Sequence, residues 1–98
     1  MAEIRWTPQA SQDLESIAEF ISRDSLQYAR LFVVDVFQAL DRLVSFPKSG
    51  RIVPEIGDSS IREIILGNYR LVYQLKKGAI TMLTICHGAR LLDPEELP

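Results

Sequence analysis

One cysteine, one histidine and one tryptophan in 98 residues leave little material for several kinds of chemistry. Cys86 alone cannot form an internal disulfide, and its place in a strand-like run points to a buried, reduced thiol. His87 has no second histidine or cysteine at a metal-binding spacing, and no glycine-rich phosphate loop occurs. Neither a metal nor a cofactor is therefore expected. No apolar run is long enough to cross a bilayer, and Met1 leads into a charged, alternating segment rather than a secretory leader. A cytoplasmic protein with no membrane partner is the default expectation.

The charge that is present is unevenly spread. The chain carries a formal net charge of −2. Residues 1–47 are acidic, residues 48–90 hold a clear basic excess, and Asp93, Glu95 and Glu96 return the tail to the acidic side. A general nucleic-acid binder would be basic overall. This distribution instead permits a local anionic partner. The length suits one domain, residues 1–98, able to bury a core unaided.

Local signals order the elements. Ile4-Arg5-Trp6 reads as a short strand. Thr7 before Pro8 is a helix start, with an N-cap oxygen followed by proline in the first turn. Ala10, Leu14, Ile17, Ala18 and Ile21 then recur at helical spacing, giving a helix from Pro8 to Arg23. A break at Asp24-Ser25 introduces a second helix from Leu26 to Phe46, ended by Pro47, with an unusually broad apolar surface. Pro47–Arg51 and Pro54–Ser60 read as loop by composition. Three strands follow, Ile61–Leu66, Tyr69–Lys76 and Ala79–Cys86, joined by Gly67-Asn68 and Lys77-Gly78 turns. The expected fold is α+β, β-α-α-β-β-β, with a helical hairpin on one face of a mostly antiparallel sheet.

Two-residue turns set a register in which Arg70 faces Ile65 on one side and Ile85 on the other. One sheet face then gathers Ile64, Leu66, Tyr69, Leu71, Tyr73, Leu75, Ile80 and Met82, and belongs under the helices. The opposite face gathers Ile65, Val72, Leu83 and Ile85 with Glu63, Arg70, Gln74, Thr81 and, beyond the strand end, His87. No further element is evident to cover it, so a binding groove is expected there. An arginine in such a strand holds a carboxylate or awaits an anion. A plain Glu63–Arg70 surface pair is the alternative. Arg90 can pair with Asp93 or Glu63, or bind a partner.

The order of elements, Trp6-Thr7-Pro8 with Asp13-Leu14, the loop Pro47-Lys48-Ser49-Gly50-Arg51-Ile52-Val53-Pro54-Glu55, Tyr69-Arg70-Leu71-Val72-Tyr73 and His87-Gly88-Ala89-Arg90 together resemble the RelE/ParE superfamily of type II toxins. The resemblance covers almost the whole chain. It implies a toxin neutralised by an antitoxin that wraps it. Members similar to RelE or YoeB cut mRNA in the ribosome, using an arginine in the place of Arg70, in some a glutamate matching Glu55, and a tyrosine or histidine after the last strand. Members similar to ParE poison DNA gyrase without that set. This chain has no tyrosine after His87 and is acidic overall, so a ParE-like gyrase inhibitor with a plasmid-stabilising role is the first expectation. A ribosome-dependent endoribonuclease using Arg70, Glu55, His87 and Arg90 is the second, and a non-toxic interaction module the third. The expected partner-binding residues are Arg70, Arg90, Arg62, Val72, Leu83 and Ile85, with Arg70 and Arg90 anchoring the antitoxin.

Overall fold

In the computed structural model, which describes residues 2–98, two helices cover one face of a five-stranded mixed sheet. Strand β1 (Glu3–Trp6) is followed by helices α1 (Pro8–Ser22) and α2 (Leu26–Ser45). Strands β2 (Arg51–Ile52), β3 (Ile61–Leu66), β4 (Tyr69–Lys76) and β5 (Ala79–His87) come next, and a 3-10 turn, Pro94–Glu96, lies in the tail. The spatial order is β1-β5-β4-β3-β2, which puts β4 at the centre. Only the β1–β5 pair is parallel. The two-residue β2, which pairs with β3, begins at the end of a stretch that reads as loop in the sequence.

The boundaries follow from the local chemistry. Thr7 caps α1 by accepting from the Ala10 N–H, and Ser25 caps α2 by accepting from Tyr28 N–H. The Thr7 hydroxyl also donates to the Met82 carbonyl at 2.8 Å, which ties the start of α1 to β5. Lys77 and Gly78 both adopt positive φ, 50° and 77°, in the β4–β5 turn. Two such residues match the right-handed twist of a tight hairpin.

One bulge changes the expected register. Between β4 and β5 the pairing jumps from Tyr73↔Met82 to Val72↔Thr84, so Arg70 lies opposite Cys86 rather than Ile85. Side chains beyond the extra residue exchange faces. Ile85 therefore packs into the helix-side core with Leu71, Tyr73, Ile80 and Met82 against Phe32, Val36, Leu40 and Leu43. Cys86 takes a place on the opposite face. A carboxylate secures the displaced segment. β1 ends opposite Met82, and beyond it Asp13 of α1 accepts from the Ile85 N–H at 3.1 Å and from the Thr84 hydroxyl. These donors would otherwise lie on a bare strand edge.

The opposite face is not open. Val53 and Ile56 of the β2–β3 loop, together with Leu92 and Leu97 of the tail, form a second apolar cluster over Val72, Leu83 and Cys86. The composition of the tail hides this role, because two leucines among acidic residues and prolines give no periodic signal.

Candidate functional site

Beneath that loop and tail lies Arg70, 4% exposed, in contact with the protein's own acceptors. Its Nε donates to Glu63 Oε1. Its two terminal nitrogens form a fork on Glu55, Nη1 to Oε2 at 2.7 Å and Nη2 to Oε1 at 2.8 Å. Nη1 also donates to the Arg90 carbonyl at 2.8 Å. Such a planar fork on a carboxylate is the strongest arrangement an arginine makes.

The carboxylates are shared in turn. Glu63, 1% exposed, also accepts from Arg51 Nε at 2.6 Å. Glu55 accepts from the Leu92 N–H at 3.0 Å, so one side chain links the loop, the central strand and the tail. Two arginines and two glutamates leave the cluster formally neutral, which lets Arg70 and Glu63 be buried at tolerable cost while Arg51 stays largely exposed. The Arg70 hydrogen bonds, aided by the Leu92 N–H, pull the Glu55 carboxyl down from 4.5 to about 2 against the opposing effect of burial. Arg70 is held charged more firmly than usual, chiefly by Glu55.

These positions correct the expectation of an uncovered groove. Val72, Leu83 and Ile85, expected to meet a partner, are all buried: the first two under the loop and tail, Ile85 under the helices. Of the apolar residues assigned to the open face, only Ile65 remains half exposed. Arg70 does hold carboxylates, but they are the chain's own. Arg90 is exposed and pairs with Glu96 at 3.4 Å rather than with Asp93 or Glu63. Arg62 stands on the helix side of β3, opposite Tyr73, and donates to the carbonyls of Ser59, Lys48 and Gly50.

The set named for RNA cleavage is only partly assembled. Glu55 and Arg70 meet, and the Arg90 backbone joins them. His87 does not. It ends β5 opposite Tyr69 and touches that ring edge-on at 5.9 Å, on the helix side of the sheet. Its Nδ1 accepts from the Ala89 N–H at 3.1 Å. Cys86 is a free, buried thiol whose pKa burial pushes up, which disfavours the reactive thiolate. Among the described residues no group of His, Cys, Asp and Glu is arranged to hold a metal ion. None of the helices is long and apolar enough to cross a membrane.

Arg51 was the member of the cluster least visible in the sequence. Its signal is the β2–β3 pairing, which places it directly opposite Glu63. A two-residue strand is too short to show in any alternation of side chains.

A helical hairpin on a mixed sheet, with an ion cluster joining loop, central strand and tail, defines a small α+β domain. A family model for the ParE toxin of the parDE type II toxin–antitoxin system matches residues 4–92, and the chain belongs to that family. It is 29% identical over 92 residues to toxin RelE2 of Caulobacter vibrioides, covering 93% of this chain and all of that protein. It is 31% identical over 87 residues to the putative toxin Y4kP of Sinorhizobium fredii, covering 87% and 86% of the two chains. A solved structure of the chromosomal ParDE TA system from P. aeruginosa shares the fold, with a TM-score of 0.68 at 23% identity over 89% of this chain and 96% of that one.

Proposed function

We propose that this chain is a toxin held in check by a cognate antitoxin, and that it inhibits growth by binding DNA gyrase rather than by cleaving RNA. The observation that carries the choice is the occupation of Arg70 by Glu55 and Glu63. Attack of a ribose 2′-hydroxyl on phosphate needs a cation free to meet the developing phosphorane charge, and a base of suitable strength. Arg70 has no such freedom while its fork is filled. A carboxylate held at about 2 is a weak base at neutral pH. His87, the other candidate base, faces the opposite side of the sheet.

Gyrase as the target is favoured by the resemblance to members that poison it, and the chain's place in the ParE toxin family is consistent with that. The ParDE assembly that shares the fold supports an antitoxin as the partner. The test is to add the purified chain to gyrase with relaxed plasmid, and separately to a translating extract. Blocked supercoiling with linear DNA accumulating, and message left intact, is the expected result. Message cut by the chain, with gyrase unaffected, would overturn the proposal in favour of a ribonuclease.

A further inference from the structure

The basic excess of residues 48–90 finds only part of its balance inside the fold. Of the four sheet arginines, Arg5, Arg51 and Arg70 each pair with a carboxylate. Arg62 meets only carbonyl oxygens among the described residues. Those three carbonyls hold the guanidinium in place without neutralising it. It lines an open groove of about 1060 Å³, where the end of α2 meets the β2–β3 loop and the β4–β5 turn. Lys48 and Lys77 also line this groove, and no carboxylate does. Asp58, in the adjoining loop, is engaged by the Ser60 N–H and hydroxyl and lies near Lys76. Phe46, 68% exposed, and Leu75 supply an apolar surface between the cations.

We infer that this groove is a docking site for an acidic peptide segment bearing aromatic or branched side chains, the apolar group seated on Phe46 and Leu75 and the flanking carboxylates on Arg62, Lys48 and Lys77. Naming the antitoxin as the source of that segment rests on the toxin–antitoxin reading; the chemistry of the groove does not. Three cations that meet no carboxylate among the described residues select an anionic partner. The apolar floor favours a peptide over phosphate, since a phosphate group gains nothing from a phenyl ring. The site is separate from Arg70, which lies on the other face of the sheet.

The test is a titration of the 15N-labelled chain, followed by amide chemical shifts, with a capped pentapeptide of sequence EFDLE. Shifts confined to Ser60, Arg62, Leu75, Gly78 and their neighbours are expected, and they should fade as salt rises. The Lys48→Gln, Lys77→Asn double variant should bind about five- to tenfold more weakly. Asparagine suits the positive φ of position 77, so the turn survives. Phe46→Ser, at an exposed position, should weaken binding as well. Absence of groove shifts at millimolar peptide, or equal binding by the double variant, would overturn the inference. So would inorganic phosphate or pentauridylate producing the same shifts where the peptide produces none. Capture of the product of the neighbouring reading frame by the full chain, measured in parallel, separates the two readings. If capture persists while the groove stays silent, only the docking site is lost.

Discussion

The decisive residue is an arginine that looked available and is not. Removing one member of a buried, hydrogen-bonded ion pair leaves its partner charged and unmatched, at a cost of about 3–5 kcal/mol. Arg70→Ala should therefore lower unfolding stability by about that amount in denaturant titration, because Glu63 and Glu55 would both lose their main donor. A loss of toxicity in that variant would report folding before it reported chemistry. The stability of the chain should also carry the imprint of Glu55. Its folded carboxyl titrates near 2 against 4.5 for the free group. The contribution is fully present above the ordinary value and is lost as pH falls from 4.5 toward 2. Glu55→Gln should abolish that part of the acid slope, as read from thermal melts between about pH 5 and 2.5.

At the scale of elements, both helices and strands β1, β3, β4 and β5 were legible because their signals are local: Thr7-Pro8, the periodicity of α1, and the glycine-bearing turns. The two-residue β2 was too short to show, and two further features were hidden. The bulge that sends Ile85 under the helices and Cys86 to the other face depends on Asp13 satisfying the displaced strand edge. That contact spans 72 residues of sequence, and nothing local to Asp13, named only beside Leu14 in the resemblance, links it to β5. The second was the cover over the sheet. Leu92 and Leu97 lie in a tail whose acidic, proline-bearing composition resembles solvated chain, and on that composition alone Arg70 faces open space.

Both features can be checked. Asp13→Ala leaves the buried Ile85 N–H and Thr84 hydroxyl without their acceptor, and should cost about 1–3 kcal/mol in chemical denaturation. Deleting residues 91–98 removes Leu92 and Leu97 from over Cys86. The thiol, slow toward a disulfide reagent in the intact chain, should then react faster by at least about tenfold. Unchanged reactivity would mean that the tail does not shield it. Gly50 is a third point of closure. A Cβ there would lie 2.5 Å from the Tyr73 hydroxyl and 2.8 Å from the Glu63 carbonyl. That hydroxyl donates to the Pro47 carbonyl and accepts from the Gly50 N–H. Gly50→Ala should destabilise by about 1–3 kcal/mol, as for other overpacked sites.

For the whole molecule, charge is divided by function. The ion cluster, buried at Arg70 and Glu63 and exposed at Arg51, joins Arg51, Arg70, Glu55 and Glu63 in mutual neutralisation and fastens loop, sheet and tail together. Lys48, Arg62 and Lys77, outside that cluster, line the groove beside exposed Phe46 on the helix side. An acidic chain can therefore present a basic docking surface without becoming a general nucleic-acid binder. On this view the family's strand arginine serves here to hold the fold closed, while partner recognition is carried by the surface. The carboxyl carbon of Glu55, followed by NMR through an acid titration, tests that view directly. It should remain ionised at about pH 3.5, well below the ordinary glutamate range; a midpoint at the ordinary 4.5 would mean that Arg70 is not engaged and that the sheet face is open after all.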